Sequence, residues 1–204
     1  MKLQAFVFVL LFLSGTFSLF GQHFKGGLLL GFNASQVDGD TYSGYDKFGL
    51  MGGVYVYTPI SSMFDVQMEI KYMGKGARKP TNSEDLTQYK SNFNYLEIPV
   101  LLRLNTQKKI GLEGGLGFGY LFSYSISDEY GVLPSSSIPK FKTFELSSIV
   151  GISYQFAPRF LVNMRYSYSI LSIVEKPEIA YSYFRRSGEY NNLFSLGIYY
   201  TVGK

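Results

Sequence analysis

Charged residues recur at alternating positions in otherwise small-residue surroundings: Glu69 and Lys71, Glu97 and Arg103, Glu113, and Arg165. Carboxylates and cations spaced in this way can lock into reciprocal ion pairs, relay a proton or pass an ion. The expected pairs are Lys71 with Glu97, and Arg103 with Glu113 across a short connection at 105–110. A buried charge without a partner costs several kcal/mol, so filling and stiffening an interior is the plainest role for such a set. A proton or ion pathway is the alternative.

Other chemistry is scarce. The chain has 204 residues, no Cys and a single His. Thiolate metal sites, disulfides and a Cys nucleophile are thereby excluded, and imidazole catalysis has only His23, near the start, to draw on. Asp38-Gly39-Asp40 lacks the spaced carboxylates of a calcium loop and reads as a turn. The glycines of 111–119 precede no helix, so they mark backbone crowding in a strand, not a phosphate loop. No cofactor, metal or catalytic residue is expected, and the chain is not expected to be an enzyme. The net charge is +4, but the basic residues are scattered and nucleic acid is not an expected partner. A late segment, 172–190, carries Tyr181, Tyr183, Arg185 and Arg186. Tyr and Arg are frequent contact residues, and the arginines match lipopolysaccharide phosphates in charge. Solvated loop residues are the bland alternative.

The elements that position these residues begin after an address. Met1 and Lys2 precede an apolar run from Leu3 to Leu13, broken by Gln4, after which Ser14, Gly15 and Thr16 interrupt it and small Gly21 stands before Gln22. Residues 1–21 are expected to be a cleaved signal peptide, because the run is too short and too interrupted to span a bilayer, which takes roughly 20 apolar residues. From 22 to 204 the dominant signal is period-two alternation. In 64–73, Phe64, Val66, Met68, Ile70 and Tyr72 share one face and Asp65, Gln67, Glu69 and Lys71 the other. The same alternation marks 25–36, 47–57, 95–105, 110–124, 144–156, 160–170 and 192–202. These segments reach the roughly 9–11 residues that a tilted membrane strand needs. The connections alternate long and short, with long ones near 37–46, 75–92, 125–142 and 172–190. Short periplasmic turns and longer outer loops are the pattern of outer-membrane barrels.

A soluble barrel with its apolar face inside is the competing architecture. The polar face argues against it, being rich in Gly, Ser and Asn, which suit a crowded concave interior. The apolar face carries Tyr and Phe towards strand ends, as interfacial girdles do. The predicted fold is therefore all-β, an eight-stranded antiparallel up-and-down transmembrane β-barrel of OmpX/OmpA-like architecture, whose interior side chains fill.

The stretch Asn94-Tyr95-Leu96-Glu97-Ile98-Pro99-Val100-Leu101-Leu102-Arg103 resembles the "YLEIP" strand of the PorT-family outer-membrane barrels of Bacteroidota. Gly31-Phe32-Asn33-Ala34-Ser35 and Tyr72-Met73-Gly74-Lys75-Gly76-Ala77 are similar to that family's first strand and to a later strand end. The resemblance implies a cell outer membrane location and members of mostly unassigned function, one of them linked to protease secretion. The chain closes on Tyr200-Thr201-Val202-Gly203-Lys204 where a terminal aromatic is usual, and Tyr200 is expected to take that part. The expected function is a non-enzymatic barrel with a filled polar lumen. Its partners would be outer-membrane lipids and, at the loops, lipopolysaccharide, a secretion-system protein or another surface partner. A narrow transporter or ion-conducting barrel is the alternative.

Overall fold

Alternation of apolar and small polar residues is satisfied only if one face of every strand meets hydrocarbon and the other meets its fellows, and the chain achieves this by closing on itself. The computed structural model describes residues 24–202 apart from 41, 43, 82–86, 107–108, 135 and 176–187. The expected leader, 1–21, lies outside the described residues.

The strands are β1 (Lys25–Asp38), β2 (Lys47–Pro59), β3 (Phe64–Lys75), β4 (Arg78–Lys79), β5 (Tyr89–Asn105), β6 (Ile110–Asp128), β7 (Gly131–Val132), β8 (Phe144–Ala157), β9 (Phe160–Ser169) and β10 (Tyr190–Val202). Going round the ring the order is β1, β2, β3, β5, β6, β8, β9, β10 and back to β1, every pair antiparallel. The seam between first and last strands runs from Gly26 opposite Val202 to Asp38 opposite Tyr190. Closure leaves no strand edge in the lipid, where unpaired N–H and C=O groups cost several kcal/mol each. The two-residue strands β4 and β7 lie outside this ring, on the outer extensions of β5 and β6.

Both ends of the ring lie on the side of the short turns 60–63, 106–109 and 158–159. The opposite rim is taller than expected. Strand β5 starts at Tyr89 and β6 runs to Asp128, so the end of the connection expected near 75–92 and the start of that near 125–142 belong to this hairpin. With 17 and 19 residues, these strands exceed by far the roughly 9–11 needed to cross. Above the bilayer no lipid selects an apolar outward stripe, and 89–94 accordingly shows none.

The two faces separate cleanly. Leu30, Leu50, Val54, Ile70, Leu102, Leu112, Ile152 and Ile198 are exposed on the outside, whereas Asn33, Gln67, Glu69, Lys71, Glu97, Ser153, Asn163 and Arg165 are buried within. Aromatic rings gather at two levels. Phe156, Phe160 and Tyr200 meet near the short turns, with centroids 5.9 and 5.0 Å apart. Tyr45, Tyr166 and Phe194, and Tyr120 with Phe144, meet near the outer end. Such belts suit the headgroup levels of a bilayer.

Candidate functional site

Inside the ring, two glycines open gaps that long side chains cross. Gly151 on β8 stands between Glu113 on β6 and Arg165 on β9 in the register. A Cβ on Gly151 would lie 2.9 Å from both Arg165 Cγ and Glu113 Oε1. The missing side chain lets Arg165 reach over β8, and its Nε donates to Glu113. Gly119 on β6 stands in the same way between Glu97 and Glu145. Lys75 spans that gap, its Nζ 2.7 Å from Glu97 Oε1 and 2.9 Å from Glu145 Oε2.

The remaining partners lie across the bore. Arg165 donates Nη1 and Nη2 to the two oxygens of Glu69, at 2.8 and 2.7 Å, a bidentate fork. Glu69 also accepts from Gln67 and from the Tyr199 hydroxyl. Lys71 Nζ lies 3.4 Å from Glu69 and 3.3 Å from Glu97, joining the two groups into one lattice. Buried charges arranged in this way are compensated by neighbours.

The expected contact of Lys71 with Glu97 is therefore present, whereas Arg103 and Glu113 do not pair. They face each other in the register, but Glu113 is taken by Arg165. The Arg103 Nη1 instead donates to Gln67 at 2.7 Å, and the guanidinium lies over the Tyr57 ring. A hairpin neighbour loses to a residue two strands away because Gly151 clears the way. Lys75 and Glu145 belong to the lattice too. Lys75 was readable as the next inward position after Asp65, Gln67, Glu69, Lys71 and Met73, and only Gly74 hid the continuation.

Above the lattice the bore turns apolar. Met51, Met73, Phe93, Tyr95, Leu121, Ile126 and Leu193 form a buried cluster with Phe141, Ile173 and Val174 from the outer connections. Those connections are pinned there: Phe141 bridges Val174, Lys142 N donates to Ile173 O at 2.7 Å, and Ile173 N to Glu189 O at 2.8 Å. Phe141, Ile173 and Val174 thus fold inward as a lid. At the rim Tyr42 stacks on Tyr89, and Lys47 lies in the field of Lys90 and Arg78. Tyr181, Tyr183, Arg185 and Arg186 fall outside the described residues. Among the described residues, no group of three or more His, Cys, Asp or Glu side chains could hold a metal ion.

The model of the family described as outer membrane protein beta-barrel domain matches residues 20–175. Among solved structures, Ail, the attachment invasion locus protein of Yersinia pestis, in complex with the heparin analogue sucrose octasulfate, is 15% identical with a TM-score of 0.52, covering 87% of this chain and 98% of that one. Neisserial surface protein A is 13% identical with a TM-score of 0.54, covering 86% of this chain and 96% of its own. The shared feature is the closed eight-stranded antiparallel barrel, and the location is the outer membrane. No curated protein matches the sequence.

Proposed function

Because the chain belongs to the outer membrane protein beta-barrel domain family, we propose that it is a filled, non-conducting and non-enzymatic barrel whose outer rim binds anionic surface groups, the phosphates of lipopolysaccharide first among them. The observation that carries this reading is the lumen. Its ion lattice and apolar lid close the middle and outer bore to a passing solute, which leaves the outer rim as the surface that faces the outside. Arg78, Lys79 and Lys90 put positive charge on that rim beside the acids Asp38, Asp40, Asp128 and Glu129, and Arg185 and Arg186 add more by sequence. The Ail neighbour was solved with a sulfated saccharide, which agrees in ligand chemistry.

The stretch 94–103 supports a place in the PorT-like branch of Bacteroidota barrels, and on that reading a secretion-system protein is the alternative occupant of the same rim. Export through a leader over residues 1–21, with the barrel domain over 22–204, belongs to the same proposal.

The test is lipopolysaccharide binding to the full barrel in nanodiscs, with native and dephosphorylated lipopolysaccharide compared. Each rim charge is worth about 1 kcal/mol near an anionic surface, or roughly fivefold in affinity. Arg78→Ser with Lys90→Gln, and separately Arg185→Ser with Arg186→Ser, should each weaken binding by more than tenfold and blunt its salt dependence. Equal affinity for the native and dephosphorylated forms, or variants that bind like the parent, would show the rim reading to be wrong.

A further inference from the structure

The lumen is filled at its middle and outer levels but not at the end of the short turns. A cavity of about 510 Å³ opens there, with Gln67, Glu113 and Tyr199, at the near edge of the ion lattice, in its lining. That volume falls within the range of small-molecule sites, roughly 300–1,000 Å³. One wall is aromatic: Tyr55 lies 5.2 Å from Tyr199 and 6.2 Å from Tyr57, with Leu161 packed against them. The rest of the lining is charged and polar, with Lys25, Arg103 and Arg159 beside the acids Asp65 and Glu113.

Arg103 is the informative residue. It is 8% exposed, yet no carboxylate lies within ion-pair reach of it among the described residues. Its hydrogen bond is the one from Nη1 to the neutral Gln67, and its Nε is buried with no partner. Two acids line the same cavity: Glu113 is held by Arg165, and Asp65, opposite Arg103 in the register but beyond ion-pair reach, accepts from the neutral Asn105. Every other buried cation of the lumen lattice has a carboxylate. A guanidinium without one, set in a cavity, lacks the compensation that burial normally requires.

We propose that this inner vestibule is a binding site for a small anion carried on a planar body, such as an aromatic carboxylate or phosphate. The anion would take the free edge of Arg103, with Lys25 and Arg159 adding charge at the mouth, and the ring would lie against Tyr55 and Tyr57. Planar, two-pronged recognition of carboxylate and phosphate is what arginine does best. The site faces the periplasmic side and stands independently of the rim reading, because it needs only the barrel.

Titration calorimetry on the full barrel in nanodiscs, with benzoate, phenyl phosphate and benzyl alcohol as probes, tests this. Benzoate and phenyl phosphate should bind at least tenfold more tightly than benzyl alcohol, and the stronger of the two names the anion class. Arg103→Gln should lose at least tenfold in affinity for the anions and none for the alcohol. Lys140→Gln, an exposed cation at the opposite end, should bind like the parent. Equal affinity for the neutral probe, or anion binding untouched by Arg103→Gln, would overturn the proposal. Should Arg103→Gln fail to fold, NMR of the parent protein decides: benzoate must shift the resonances of Tyr55, Tyr57 and Tyr199, and shifts confined to the outer loops would refute the site.

Discussion

Arg165 is held by two carboxylates, Glu69 and Glu113, in the centre of the bore. Its removal would strand both in a low-dielectric interior, and breaking a buried pair from one side costs about 3–5 kcal/mol. Arg165→Met should therefore destabilise the barrel by that order, read as the shift in its urea midpoint in lipid vesicles. A change below about 1 kcal/mol would mean that the lattice is hydrated and weak. Asp40 sits at the rim under different rules. Burial, with Glu189 and Asp38 adding to it, pushes its carboxyl up to about 7, against the backbone hydrogen bond from Tyr42, and its Oδ2 has no partner. The folded rim thus prefers the protonated acid. Stability from this group is fully present below the unfolded value of 3.8 and is lost as pH rises towards 7. Hydrogen exchange, corrected for intrinsic rates, should show the amides around Asp40 better protected at pH 5 than at pH 8. Asp40→Asn should flatten that difference, and protection that rises with pH would contradict the assignment. The sequence disclosed which residues carry charge and that they share a face. It did not disclose that Arg165, not Arg103, meets Glu113. That choice depends on the register of three strands and on Gly151 lying between, which no local pattern encodes.

At the scale of the strand, alternation was a strong guide because the bilayer enforces it. Val66, Met68 and Ile70 alternate with Gln67, Glu69 and Lys71 since one set meets hydrocarbon and the other meets its neighbours. Where that pressure ends, so does the signal. The outer half of the β5–β6 hairpin and the inward lid of Phe141, Ile173 and Val174 were not legible, because their partners are distant in the chain. The depth of each outward residue makes a graded prediction. Leu196 lies between the aromatic levels marked by Phe194 and Tyr200, and Val202 lies beyond Tyr200. Leu196→Arg should cost roughly 2–4 kcal/mol in unfolding experiments in bilayers, and Val202→Arg about 0–1. Equal costs at the two positions would mean that this band does not sit in hydrocarbon.

At the scale of the whole molecule, strand count and interior filling go together. An eight-stranded ring is only wide enough for side chains, and here these close it twice, first with charges and then with the apolar lid. The closure explains why the lumen is rich in Gly and Ser yet still charged: small residues give the few long ones room to cross. On the non-conducting reading proposed above, it also divides the molecule into an outer rim and an inner vestibule that do not communicate through water. Conductance in planar bilayers tests that division most directly. No steady unitary current should cross the folded barrel at physiological salt, for either sign of voltage. Reproducible ohmic steps from the purified, folded protein would contradict it.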